Sequence, residues 1–155
     1  MNWGGQKQLK NKIMEKIVET LVAQHKVLQQ NLGAVSKLAD LGESFSPEIV
    51  AGLAEFTNNL MAHLKLEDEE FYPELLKKME EKDMDVLNTK KFIDQMKTIA
   101  VVVTSFLGKY GNVKAYKGTV DEFKKDLAGI IQALSLRVES EEMGVFTYWT
   151  IFEKI

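Results

Sequence analysis

His63-Leu-Lys-Leu-Glu67 sets an imidazole and a carboxylate four residues apart, the spacing that stacks two side chains on one face of a helix. Acids crowd the residues that follow: Asp68, Glu69 and Glu70, then Glu74 just past Pro73. The chain has one other histidine, His25, in Gln24-His25-Lys26-Val27-Leu28. On a solvated face such residues do nothing in particular. Turned inward, a carboxylate is costly unless a cation, a guanidinium or a proton neutralises it.

The elements that must position them are helices. Ile17, Leu21, His25, Leu28 and Leu32 recur at spacings of three and four and predict a first helix over about 6–40, through Gly33. Ser46 and Pro47 are a cap and a first helical residue, so a second helix runs from 47 to about 71. Pro73 is expected to kink or end it, with Glu74-Leu-Leu-Lys-Lys-Met-Glu-Glu-Lys-Asp83 as a short continuation. The stretch Ile99–Leu107 has high β propensity, but Phe92, Met96, Ile99, Val103, Phe106 and Tyr110 keep helical spacing, which decides for a third helix over about 85–110. Thr119-Val-Asp-Glu122 is a capping box that opens a fourth helix, from 120 to at least 145. Four helices with one apolar stripe each and short connections predict an all-α, up-down-up-down four-helix bundle.

Placed at ~100° per residue, His63 and Glu67 fall on the stripe of Ile49, Leu53, Phe56, Leu60 and Phe71. Asp68 and Glu69 fall outside it, and Glu70 at its margin. His25 shares the apolar face of the first helix, and Glu141 lines up with Leu127, Leu134, Val138 and Val145, with Arg137 near the stripe edge. Both histidines and two carboxylates therefore face the bundle axis. Two buried acids demand positive charge, so a cation competes with Arg137 and with protonation as their partner.

The 155 residues are 45% hydrophobic and 28% charged, which suits one globular domain over 1–155, with an aromatic tail over 145–155 that continues the core or meets a partner. A net charge of −3, both signs interspersed, offers nothing to a phosphate backbone, so nucleic acid is not an expected partner. The absence of cysteine excludes disulfides, thiolate metal sites and thiol nucleophiles. The start of the chain lacks the apolar core of a signal peptide, and Ile99–Val103 is far short of the ~20 residues of a membrane span. The expectation is a cytoplasmic protein with no membrane partner. Met14, Met61 and Met96 read as core filler, and Phe71, Tyr72, Phe146, Trp149 and Phe152 as packing at the bundle end.

Taken together, His25, His63-x-x-x-Glu67 and the helix order resemble the hemerythrin-like (HHE cation-binding) family over about 15–146. The resemblance implies a four-helix bundle with a non-haem di-iron site and an internal duplication of a helix pair. The first half matches: Gln-His25-Lys-Val-Leu, His63-Leu-Lys-Leu-Glu67, then Glu-Glu-Phe-Tyr-Pro73. In the second half Met96 stands in Gln-Met-Lys-Thr-Ile at one histidine position, and Arg137 opens Arg-Val-Glu-Ser-Glu141 at another; Glu-Glu-Met-Gly-Val-Phe146 echoes Glu-Glu-Phe-Tyr.

Two histidines cannot complete a di-iron ligand set. His25, His63 and Glu67 are the two-histidine, one-carboxylate set of mononuclear iron(II) sites, with Glu141 as a further oxygen and Met96 at best a weak ligand. The first expectation is thus a metal-binding domain with at most one iron, binding or sensing oxygen, nitric oxide or iron. The second is a metal-free relative in which Arg137 offers its donors to Glu67 and Glu141, acting as a regulatory or protein-interaction module. An enzyme is the third and least favoured class: iron there can activate oxygen, but no phosphate-binding glycine loop or serine triad accompanies it.

Overall fold

The computed structural model describes residues 3–42, 44–112, 114 and 116–153. Its helices are α1 (Trp3–Leu41), α2 (Pro47–Leu66), α3 (Tyr72–Glu81), α4 (Leu87–Tyr110), α5 (Val120–Ser140) and α6 (Phe146–Glu153). Two π-turns, Glu67–Phe71 and Glu141–Val145, run α2 into α3 and α5 into α6 without a break. The four resulting rods form the up-down-up-down bundle: α1 packs on α2, α2 on α4, α4 on α5, and α5 back on α1.

Local chemistry sets the starts. Ser46 Oγ accepts from the N–H of Ile49 at 3.4 Å, with Pro47 first in the helix. Thr119 Oγ1 accepts from the N–H of Glu122 at 3.1 Å, while the Glu122 carboxylate is turned to Lys109 Nζ at 3.0 Å. The β-branched run of α4 stays helical because tertiary burial follows the helical period: Val103, Phe106 and Tyr110 are buried, and Val101 and Val102 are left exposed.

Pro73 does not end its helix; the chain runs on to Glu81. The N–H of Tyr72 donates to the carbonyl of Glu67, five residues back, so the turn is one residue wider where the proline ring would press on the carbonyl of Glu69. The second π-turn does the same without a proline: Phe146 N–H donates to Glu141 O. The widened turn therefore belongs to both halves of the molecule and not to Pro73.

Each π-turn moves the apolar stripe on by one residue. The inward face runs Leu60, His63, Glu67, then Phe71, Tyr72, Leu75 and Met79; in the second half it runs Leu134, Val138, Glu141, then Val145, Phe146 and Trp149. Glu70, at the margin by simple periodicity, is exposed with Asp68 and Glu69. Phe71, Phe146 and Trp149 do continue the core; the side chain of Phe152 and residues 154–155 lie outside the described residues. Met61 is not core filler: it is 45% exposed, whereas Met14 is buried. No helix among the described residues is long and apolar enough to cross a membrane.

Two apolar clusters fill the interior. One gathers Leu28, Leu60, Phe106, Phe123 and Val138 with their neighbours; the other gathers Met14, Leu21, Phe71, Val145, Phe146 and Trp149. His25 lies between Leu21 and Leu28 on α1, His63 and Glu67 between Leu60 and Phe71, and Glu141 between Val138 and Val145. The four polar residues thus form a layer where the two clusters meet.

Candidate metal centre

All four residues of this layer are at most 3% exposed. His25, His63 and Glu141 each bring a donor atom within 4.8 Å of the others. Glu67 stands beside this trio, its Oε1 2.7 Å from His63 Nε2, and Glu141 Oε2 is 3.6 Å from His25 Nε2. The imidazole rings are 4.7 Å apart, and Phe146 stacks on His25 at 5.5 Å with 14° between the planes. Sequence reasoning named Glu67 as the primary carboxylate and Glu141 as the addition; the tight trio is built with Glu141.

The outer nitrogens of both rings are tied. Nδ1 of His25 lies 3.1 Å from Glu142 Oε2; a carboxylate only accepts, so Nδ1 carries the proton. Nδ1 of His63 donates to Gln24 Oε1 at 2.8 Å. Each Nε2 is left as a lone pair directed at the carboxylates. Glu67 Oε1 and Glu141 Oε2 are buried and have no hydrogen-bond donor among the described residues. Two imidazole nitrogens and two carboxylate oxygens therefore confront one another, all acceptors. Tying Nδ1 to an oxygen and freeing Nε2 is the arrangement that holds histidine ligands in place around a metal ion. Donor atoms about one ion stand roughly 3–4.5 Å apart, so these residues fit one cation with small adjustment.

Protonation is the alternative neutraliser. Burial, a hydrogen bond with Glu67 and the charge of Glu67 hold the Glu141 carboxyl well above the usual carboxylate range. Burial also opposes the charge of Glu67, but a hydrogen bond from Glu141, the closeness of His63 and the Tyr72 hydroxyl outweigh it and hold Glu67 below its ordinary value. Burial, then the neighbouring His63, lowers His25. Without a cation, one proton on Glu141 is shared with Glu67.

Tyr72 completes the layer. Its hydroxyl donates to Glu67 Oε2 at 2.9 Å, and burial together with Glu141 and Glu67 pushes its ionisation far up, so it remains a donor. Gln24, Tyr72 and Glu142 were not legible as site residues. The π-turn brings a residue five positions on from Glu67 back onto its carboxylate, a contact that a 3.6-residue period does not foresee. Gln24 and Glu142 neighbour His25 and Glu141 in sequence, which was the only signal.

Arg137 makes no direct pair with the acids, although its charge acts on Glu141 against the effect of burial. Its guanidinium carbon lies 5.7 Å from the centre of the Phe92 ring, and no ion pair joins it to Glu67 or Glu141 among the described residues. Its stem and Met96 line a cavity of about 20 Å³ whose wall includes His25, His63, Glu141, Ile99 and Val103. The lining is apolar and leaves room for one molecule of about the size of water. A larger groove of about 460 Å³, between α1 and α3 over Trp149, holds Lys10, Lys77, Lys78 and Lys82 with Glu74 and Glu81, and none of the four layer residues. It is open to solvent, and the candidate ligands line the smaller cavity instead.

Residues 16–149 match the family model of the hemerythrin HHE cation binding domain. Comparisons with curated proteins and with solved structures gave no significant match.

Proposed function

Because the chain belongs to the hemerythrin HHE cation binding domain family, we propose that it holds a single cation, iron, and uses it to bind or sense a small apolar ligand such as dioxygen or nitric oxide. The observation that carries this reading is the meeting of four buried acceptors, His25 Nε2, His63 Nε2, Glu67 Oε1 and Glu141 Oε2, with no donor among them. Glu141 and the two histidines would hold the ion, with Glu67 beside them. Gln24 and Glu142 keep the rings turned inward, and Tyr72 orients Glu67. Iron held by these residues would supply a redox-active centre for a diatomic ligand.

The protein's part is to shape access. The neighbouring cavity presents an apolar surface and has room for only about one water-sized molecule, which favours a small uncharged gas over anions that would have to shed water. The number of ions follows from the second half of the site. Met96 offers only a soft thioether and Arg137 a cation, so a second ion has no imidazoles to bind. The metal-free alternative, favoured by Arg137 and Met96 at the two ligand positions, loses one support, since the guanidinium lies over Phe92.

The test is anaerobic loading with iron(II), removal of loose metal and elemental analysis. About one iron per chain is expected, and none in His63→Ala with its helical circular dichroism unchanged. A wild-type chain without iron, or equal iron in the variant, overturns the reading.

A further inference from the structure

We propose that the first half of α4, residues 87–102, is a hinged cover over the cation layer, which opens by local unwinding while the rest of the bundle stays folded and lets the cation in and out. Passage of a cation rests on the reading above; the opening itself does not.

Burial divides α4 in two. From Leu87 to Val102 only Thr89 is buried, and Phe92, Ile93, Met96 and Ile99 are no more than half-buried although they keep the helical stripe. Beyond them Val103, Phe106, Leu107 and Tyr110 form a buried face. The polar ties divide in the same way. Tyr110 donates to Asp126, and Lys109 Nζ lies 3.0 Å from Glu122 and 3.2 Å from Asp126, which fastens the second half to α5. Among the described residues, the first half is tied to other helices by Thr89 Oγ1 against the Met79 sulfur at 3.4 Å and by the Arg137 guanidinium over Phe92. Weak helix formers stand at the junction. Val101, Val102, Val103 and Thr104 are β-branched, and Val101 and Val102 are 64% and 48% exposed, so packing does little to offset their low propensity.

What this half covers gives the opening its use. His25, His63, Glu67 and Glu141 are at most 3% exposed, and the cavity beside them, about 20 Å³, is far too small for a hydrated ion. A cation therefore reaches them only when a helix moves. Moving α1, α2 or α5 carries a layer residue away with it. The first half of α4 holds none, yet its Met96, Ile99 and Ala100 share the cavity wall with His25, His63 and Glu141. Its withdrawal uncovers the ligands and leaves them in place.

Hydrogen exchange of the chelated chain, read by mass spectrometry, tests the opening without a cation. Amides of 91–102 should exchange at least ~10-fold faster than those of 103–110 and of 124–140. Arg137→Ala removes the contact over Phe92 and should quicken 91–102 about 2- to 5-fold. Ile49→Val loosens the core about 20 Å along α2 from His63. It should quicken the slowest amides of the chain about 2- to 10-fold and leave 91–102 unchanged, because the cover opens without the rest unfolding.

Val101→Ala combined with Val102→Ala raises helix propensity at two exposed positions. In that chain the exchange of 91–102 should slow about 3- to 10-fold, and the loss of iron(II) to a chelator without oxygen should slow by the same factor. Equal protection along 91–110 overturns the cover. So does faster exchange of 91–102 in Ile49→Val, since this half then opens only with the whole chain. Selective opening with iron loss unaltered in the double-alanine chain overturns its role as the entrance. A chain that takes up no iron overturns the cation reading, and the exchange pattern alone then decides whether the cover exists.

Discussion

In the first half of the chain His25 and His63 hold the places where, on the duplicated pattern, the second half has Met96 and Arg137. Glu67 and Glu141 are common to both. Each half ends in the same π-turn, begun at its glutamate and followed by a buried pair, Phe71 and Tyr72 or Val145 and Phe146. The bundle packs both sets of residues, but the two sets do not offer a cation the same donors. A bundle needs volume and apolar surface at an inward position, and methionine fills that as well as imidazole does. Arginine lays its stem along the cavity and its head on Phe92. An ion needs lone pairs, and neither replacement brings one of comparable strength. The halves also differ in how they end: Tyr72 reaches back to its glutamate, whereas Phe146 stacks on His25.

Restoring the second half is the sharpest way to break this contrast. Met96→His combined with Arg137→His should raise bound iron from about one to about two per chain. If the content stays at one, the backbone spacing and not the residue types limits the site, and the halves are less alike than their π-turns indicate.

A smaller effect comes from the carboxylates that the halves share. In the cation-free protein Glu141 keeps a proton that the unfolded chain releases near its ordinary value of 4.5. A raised folded value contributes stability that is fully present below 4.5 and is lost as pH rises through the folded value. Glu67, held below its ordinary value, acts in the opposite sense: its contribution is present above 4.5 and lost at lower pH. His25, lowered from its ordinary 6.5, acts in the same sense as Glu67 up to that pH, so the Glu141 loss stands alone above it and the urea midpoint of the chelated chain should fall as pH rises beyond 6.5 through the folded Glu141 value. With saturating cation the midpoint should hold or rise, since the ion replaces the proton. A flat profile for the chelated chain would mean that the two carboxyls do not share a proton.

The smallest expected change is in Arg137→Ala. With the guanidinium over Phe92, its removal should cost about 0.5–1 kcal/mol in urea unfolding. A loss of ~3 kcal/mol or more would show that Arg137 does neutralise the buried acids in solution, and the two halves would then be joined by an ion pair and not a cation.

Much of the architecture was legible in the residue order. The periods of α1, α2, α4 and α5, the Ser46 and Thr119 caps, and the inward placement of His25, His63, Glu67 and Glu141 all follow from one-dimensional spacing. The residue order was least informative where spacing stops being uniform. The two π-turns advanced the stripe by one residue, which left Glu70 in solvent and carried the helix past Pro73. Met61 sits on a helix face that α4 covers only in part, so its hydrophobicity did not bring burial.

The chain's own order of residues determined that there would be four amphipathic rods, that two imidazoles and two carboxylates would face inward, and that no further imidazole is on offer. It determined these because helical period and residue type are local properties. Only the tertiary structure decided which atoms meet. It turned both Nε2 atoms toward the acids by tying Nδ1 to Gln24 and Glu142, and it brought Tyr72 onto Glu67. It also set Met96 in the wall of the cavity and Arg137 over Phe92. Those choices depend on how separate helices pack and on side-chain rotation about one shared axis, and no spacing along a single strand of residues encodes them.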